Sequence, residues 1–315
     1  MKRFSPFFLL IAVLSSCNSV QKYTYRKFVV GAISEIIFYA QDDSTAQQII
    51  DECDEELTRL HTLLNRFSDS SLVSRLNREY RVAAPSDIIT LVKLCDSISY
   101  ITNGLFDITI APYMELWGYY QHEYGIPDSH QLKQARQYVN YRHIKTTKDS
   151  IFIAPNMQID LGGIAQGYAA DRIALILHKY GINAALVNIG GEVVAIGRSP
   201  EHRSWNIGIK HPRQQGIIET VEIENAALST SGDYEKFFII ENKRYPHIID
   251  PTTGFPAQQF ASVTIVHGSA AFADAIATAV AIMGPDRGVN FLDSCGIQGI
   301  LYYESDSKLQ RRAYP

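Results

Sequence analysis

Residues 160–181 read DLGGIAQGYAADRIALILHKYG. Gly162 and Gly163 lead into a run whose apolar residues recur at helical spacing and which stops at Gly181. Glycines at a helix entrance leave backbone N–H groups uncovered at the positive end of the helix dipole, which suits phosphate. Taken alone, the commoner reading is close helix–strand packing with Asp160 as N-cap. The wording is neither the G-x-G-x-x-G dinucleotide fingerprint nor a GK[ST] P-loop. Strands are expected downstream at 184–189, 192–197, 205–210, 217–223 and 236–240, then a tight turn at Glu241-Asn242 into 244–250, and a further strand at 260–267. A helix rich in small residues at 269–283, a short helix and a strand close the chain.

Upstream, 28–40 reads as a strand or hairpin. Asp42, Asp43 and Ser44 offer N-caps for a helix carrying Ile49, Ile50, Cys53, Leu57, Leu60 and Leu64 on one face. The SDSS turn precedes a short helix ending near Asn77, and Ser86 is placed to cap a second long helix that stops at Asn103-Gly104. A short helical stretch at 131–138 and a hairpin at 144–154 complete this half. Helices and antiparallel-looking strands in separate runs imply an α+β fold rather than a doubly wound sheet.

The composition bounds the function. Of 315 residues, 46% are hydrophobic and 20% charged, which fits a packed core and argues against disorder. Lys and Arg number 29 against 33 Asp and Glu, a formal charge of −4, so nothing marks a nucleic-acid-binding protein. The first 17 residues, MKRFSPFFLLIAVLSSC, have a cationic start at Lys2 and Arg3 and an apolar run from Phe7 to Leu14 too short to span a bilayer. This is an export signal. Its Leu14-Ser15-Ser16-Cys17 ending resembles a bacterial lipobox, which would make Cys17 the lipidated new N-terminus. Acyl chains there would hold the protein to a membrane at ~0.8 kcal/mol per buried CH₂. Residues 18–27 read as a polar tether and 28–315 as the folded domain. Cys53, Cys95 and Cys295 form no C-x-x-C, so neither a thioredoxin-like nor a zinc site is written here.

Several short constellations carry chemistry. Asp274 and Thr278 stand one helical turn apart and offer hard oxygens, suited to Mg²⁺ or Ca²⁺, among small Ala271, Ala273, Ala275, Ala277 and Ala279. Tight helix packing explains the same residues. His247-Ile-Ile-Asp250-Pro-Thr-Thr-Gly254 runs a strand into a turn, with His247 available as general base and Asp250 as turn cap. Ser229-Thr-Ser-Gly-Asp233 reads as a hydroxyl-rich turn without the G-x-S-x-G elbow of hydrolases. Asn188-Ile-Gly-Gly-Glu-Val is a corner whose glycines admit a ligand close to the backbone.

The order FDIT…LWG, DLGGIAQGYAAD, NIGGEV, STSGDYEKFF, HIIDPTTGFP, ADAIATA resembles the ApbE family of FAD:protein FMN transferases, from Phe28 to the C-terminus. The resemblance implies a T-fold-like α+β architecture of antiparallel sheets with packed helices and an FAD cleft. It implies an extracytoplasmic, periplasmic enzyme, often lipid-anchored, that uses Mg²⁺ to split FAD, attaches FMN through a phosphoester to a Thr or Ser of a target protein, and releases AMP. It assigns Asp274, Thr278 and the carbonyl of Gly163 to the metal. It assigns Asp160, Gln166, Leu105, Phe106, Asp107 and Ile248 to FAD, and makes His247 the candidate to activate the acceptor hydroxyl. Val30 and Phe67 fall at flavin-side positions but depart from the family wording, as does Gln166. Many relatives carry Met-Gly-Thr where Val30-Gly31-Ala32 stands, Tyr for Phe67 and Lys for Gln166. Implied partners are acceptor flavoproteins, such as redox-pump subunits or extracytoplasmic reductases, with no nucleic acid. Two alternatives fit the same site: an FAD pyrophosphatase with water as acceptor, and a flavin-binding lipoprotein without turnover.

Overall fold

The computed structural model describes residues 20–201 and 203–315. The expectations for the export signal and for lipidation at Cys17 lie outside them. The predicted tether is corrected from its fourth residue onward. Gln21–Val29 is strand β1, paired along its whole length with β2 (Ala32–Ala40) across a turn at Val30-Gly31. Tyr23 and Tyr25 point to one face, where Tyr23 stacks on Phe38 and the hydroxyl of Tyr25 donates to Asp54. The polar alternation of this segment is therefore that of an edge strand.

Helix α1 (Asp43–Leu64) is capped by Asp42, whose carboxylate accepts from the N–H of Thr45, and it buries the predicted apolar face except Ile50, which is only partly covered. α2 (Leu72–Glu79), β3 (Arg81–Ala83) and α3 (Ser86–Ile101) follow. Ser86 is not the cap of α3; Pro85 takes that position without a side-chain bond, and Ser86 is the first helical residue. α4 (Ala111–Leu116) and α5 (Ser129–Ala135) precede a short hairpin of β4 (Lys145–Thr146) and β5 (Ser150–Phe152). Then come α6 (Ala165–Lys179), β6 (Ala184–Ile189), β7 (Glu192–Gly197), β8 (Trp205–Lys210) and β9 (Ile217–Ile223).

The stretch read as a hydroxyl-rich turn is strand β10 (Ala226–Gly232), with Ser229 to Gly232 paired to its neighbour. β11 (Phe237–Ile240) and β12 (Lys243–Pro246) form the expected hairpin, with Glu241 and Asn242 both at positive φ as its turn requires. β13 (Ser262–His267) leads to α7 (Ala270–Cys295), which continues past Met283 through a break at Gly284 (φ 75°) next to Pro285. The chain closes with a hairpin of β14 (Gln298–Ser305) and β15 (Lys308–Tyr314), where a single strand was expected.

Eight strands make one antiparallel sheet in the order β1-β2-β6-β7-β10-β13-β14-β15. The main core lies between this sheet and α1, α3, α6 and α7, so the fold is α+β as the sequence implied. A second cluster of Tyr113, Trp117, Tyr119, Phe238 and Tyr245 ties α4 to the β11–β12 hairpin. Trp117 Nε1 donates to the carbonyl of Gly254 at 2.7 Å, and the hydroxyl of Tyr119 to that of Tyr245 at 2.8 Å. The segment between them carries His247.

The small residues of α6 and α7 have a measurable reason. A Cβ on Gly167 would stand 2.4 Å from the carbonyl oxygen of Ala270 and 2.9 Å from the nitrogen of Ala271, both backbone atoms that cannot turn aside. Gly167→Ala is expected to lower unfolding free energy by roughly 1–3 kcal/mol, as overpacking does. Gly268→Ala is the control, because nothing lies within 4 Å of that Cβ and its φ is ordinary. Denaturant titration of both variants checks this; equal midpoints would show that the helices have room to spare.

Candidate active site

Two adjoining cavities share one boundary. The first is mainly apolar, lined by Leu105, Phe106, Ile108, Met114, Ile248 and Ile282, with Phe67 at its rim. The second is polar, lined by the Gly190-Gly191 corner, Gln166, Glu192, Thr230, Ser231 and Asp274. Gly162, Gly163, Lys236, His247 and Thr278 line both. The sequence thus marked both walls of one cleft as well as their meeting line.

The α7 side is held in place by α6. Asp171 of α6 accepts from the hydroxyl of Ser269 (2.6 Å) and from the N–H groups of Ala270 (2.7 Å) and Ala271 (3.0 Å), capping α7 from outside. Burial pushes the Asp171 carboxyl up. Four residues before Asp171, the N–H of Gly167 donates to Asp274 Oδ2 at 3.3 Å. Asp274 is 7% exposed, and burial raises its pKa, with the Asp171 charge adding to the effect. Thr278 Oγ1 sits 3.5 Å from Ser231 Oγ, and a Cβ on Gly163 would lie 3.5 Å from the same Oγ1. Asp274, Thr278 and Gly163 are therefore brought together as expected.

Glu192 is one of the residues that the sequence motifs did not single out. It is 6% exposed on the polar wall, its Oε2 has no hydrogen-bond partner, and burial next to Asp274 drives its pKa well up. Its only sequence signal was its place directly after the double glycine of the NIGGEV corner. Among the described residues no three His, Cys, Asp or Glu side chains converge on one point. The donors at Asp274 are one carboxylate and one hydroxyl, with the Gly163 backbone beside the hydroxyl, hard oxygens that fit Mg²⁺ and offer nothing to a soft metal. The orphaned Glu192 oxygen beside it is what a site built to receive positive charge leaves behind.

Asp160 does not cap α6; Ile164 holds that position. Its carboxylate instead accepts from the N–H of Gly162 at 2.7 Å and from the hydroxyl of Tyr120, with Arg66 Nη1 at 3.7 Å. Arg66 lies over the Tyr120 ring at 3.8 Å, and Phe67 meets that ring edge-on. Burial holds the Tyr120 phenol protonated, hence a donor. Neither Arg66 nor Tyr120 had a sequence signal, because their partner is 40 to 94 residues away.

Asp107 lines the apolar cavity, but both its oxygens are engaged: Oδ1 by the N–H (2.8 Å) and hydroxyl (2.6 Å) of Thr109, Oδ2 by the N–H of Tyr141 (2.9 Å). It shapes the Leu105-Phe106 wall. Gln166 lines the polar cavity and donates from Nε2 to the carbonyl of Val30 at 3.3 Å. Gly31 and Ala32 line the polar cavity there, while Val30, at positive φ in the hairpin turn, packs against the core.

His247 is half-buried at the boundary. Its backbone N–H donates to the carbonyl of Lys236 at 2.9 Å, and Nδ1 lies 3.2 Å from the same oxygen. A carbonyl only accepts, so Nδ1 carries the proton and Nε2 the lone pair. Burial, then the Lys236 charge, lowers its pKa to about 4, so the ring is neutral at pH 7. A neutral imidazole with a free Nε2 is a general base in waiting.

The ApbE family profile matches residues 30–301. A Vibrio cholerae protein named FAD:protein FMN transferase is 30% identical over 278 residues, covering 86% of this chain and 83% of its own. The flavinyl transferase ApbE of Pseudomonas stutzeri shares the fold with a TM-score of 0.86 at 27% identity, over 93% of this chain and 95% of that one. The ApbE protein of Thermotoga maritima gives 0.85 at 30% identity, over 92% and 97%. The matched span holds every residue of the cleft from Gly31 to Ile282, and the chain belongs to the ApbE family.

Proposed function

We propose that this chain is a Mg²⁺-dependent FAD:protein FMN transferase that joins FMN to a Thr or Ser hydroxyl of an acceptor flavoprotein and releases AMP. One observation carries the reading: two chambers of different polarity meet at Gly163, Thr278 and His247. FAD has two ring systems joined by a pyrophosphate. One ring system in each chamber puts the pyrophosphate at the boundary, next to Asp274 and the free Nε2 of His247. The name of the Vibrio cholerae relative supports the same substrate.

The chemistry follows from these positions. An acceptor hydroxyl reaching the boundary loses its proton to His247 Nε2 as its oxygen bonds to the FMN phosphorus. The bond from that phosphorus to the bridging oxygen breaks, and AMP leaves with the electron pair. Mg²⁺ bound by Asp274, Thr278 and the Gly163 carbonyl would neutralise phosphate charge, the main demand of phosphoryl transfer. Gly162 and Gly163 let phosphate oxygens approach the backbone, and the apolar wall excludes water that would otherwise compete with the acceptor.

What supports an extracytoplasmic, lipid-anchored placement is the leader ending at Cys17. Such a placement matches acceptors that are redox-pump subunits or extracytoplasmic reductases. Cys17→Ser is expected to stop processing or release the protein from membranes; fractionation showing normal processing and membrane association would remove the anchor.

Asp274→Asn keeps shape and removes charge. AMP release from FAD across a Mg²⁺ titration is expected to fall by at least about tenfold, with a raised Mg²⁺ midpoint in calorimetry. An unshifted midpoint would place the ion elsewhere. His247→Ala should retain FAD while slowing FMN addition to an acceptor, read by mass spectrometry, by roughly two to four orders of magnitude. Wild-type kcat/KM at saturating Mg²⁺ should stay level from pH 8 down to about pH 5, since the ring protonates only near 4. An acid limb centred near the ordinary histidine value would contradict a buried neutral base.

A further inference from the structure

Lys236 sits between β10 and β11, directly before Phe237. Its carbonyl accepts from the backbone N–H and from Nδ1–H of His247, so the two residues are locked side by side. Its ammonium makes no ion pair and no hydrogen bond among the described residues, although its charged surroundings are matched. Lys210 faces Glu235 at 3.9 Å, Arg213 and Arg244 hold Asp233 at 2.7 and 3.1 Å, and Arg66 faces Asp160 at 3.7 Å. An unpaired lysine is ordinary on open surface. This one, although exposed, lines both chambers; among the described residues it is the only cation on the apolar one, and Lys210, which faces Glu235, is the other on the polar one. Its charge also acts on the His247 ring, where it is the second cause of the lowered pKa.

No other side chain at the boundary supplies positive charge. Gln166 on the polar wall is neutral, and its amide is turned to the Val30 carbonyl. Neither Asp274 nor Glu192 on the polar wall pairs with Lys236: Asp274 accepts from the N–H of Gly167, and Glu192 Oε2 has no partner. A pyrophosphate carries two negative charges, and Asp274 and Thr278 would hold a metal that offsets part of them.

We propose that Lys236 is a substrate-binding residue that holds the FAD pyrophosphate at the boundary of the two chambers. The inference rests on the flavin reading above and adds a residue to it. A lysine acts there as a compact point charge with three rotatable donors, able to follow the phosphate as the bridging bond breaks.

The test compares the full-length wild type with Lys236→Gln and Lys236→Arg. Affinities for FAD and for riboflavin, which has no phosphate, are measured by flavin fluorescence in EDTA and again with Mg²⁺, at low and high salt. Thermal unfolding checks that the variants fold. Lys236→Gln is expected to weaken FAD by roughly tenfold or more, as loss of a charged hydrogen bond does. It should also flatten the salt dependence of FAD binding and leave riboflavin unchanged, and Lys236→Arg should recover most of the FAD affinity. Equal FAD affinity in Lys236→Gln and wild type overturns the proposal. So do equal losses for FAD and riboflavin, which would mean that Lys236 only shapes the cleft. A wild type that binds no FAD would overturn the flavin reading itself, a result distinct from either.

Discussion

The contact between α6 and α7 at Gly167 sets the geometry of everything around it. Two helix backbones touch there, and no residue with a side chain fits between them. The contact is closed twice by polar bonds. Asp171 supplies the acceptors that the first turn of α7 lacks, and the N–H of Gly167 reaches Asp274. Because Asp171 and Gly167 lie one turn apart on α6, the start of α7 and its fifth residue are fixed together. Thr278, one turn further, then falls beside Gly163 at the mouth of α6. Moving either helix by an ångström would separate the carboxylate, hydroxyl and carbonyl that define the polar side of the cleft.

The opposite side hangs on aromatic packing. His247 lies in a segment with little regular structure, and such a segment places a side chain poorly unless something pins it. Trp117 and Tyr119 do so by bonding to the carbonyls of Gly254 and Tyr245, on either side of the histidine in sequence. Phe238 and Tyr245 stack in the same cluster at 5.1 Å. The two sides of the cleft thus belong to different packing units, a helix pair and an aromatic cluster, joined through β10 and the turn that follows it. The base and the hard-oxygen set are each rigid within their own unit.

Much of this was legible in the chain because it obeys simple periods. Strands β6 to β9 were read to the residue, since each alternates or is β-branched and is bounded by Gly, Asn or Pro. The face of α1 and the joint presence of Asp274 and Thr278 on α7 follow from helical spacing. The failures have common causes. β1 looks like a tether because an edge strand with one solvated face alternates polar residues and aromatics, and only its pairing with β2 reveals it. Ser229 to Gly232 looks like a turn because small hydroxyl residues have no strand signature, yet Thr230 pairs with Thr264 across the ladder at 2.8 Å. Arg66, Tyr120, Glu192 and Lys236 were missed as site residues because their meaning depends on partners far along the chain.

The residues that sequence reading found and those it missed divide by function in a physical way. Gly163, Asp274, Thr278 and His247 lie in tight backbone settings, where the neighbours must be small or turn-forming, and such constraints write motifs. Lys236, Arg66 and Tyr120 reach the cleft on long side chains from positions that tolerate many residues, so nothing local records them. Charge ties the two groups together. The polar wall carries two buried carboxylates, each destabilised as an anion by burial, so it is built to gain positive charge. The boundary carries an unpaired ammonium beside a histidine that this same ammonium helps keep neutral. Buried carboxylates on one side, an unpaired ammonium at the centre and a neutral histidine alongside form the charge pattern on which the proposed metal-assisted transfer rests. Neither half of that charge pattern is satisfied by the protein alone, which is why the site is read more surely from its unpaired groups than from its bonds.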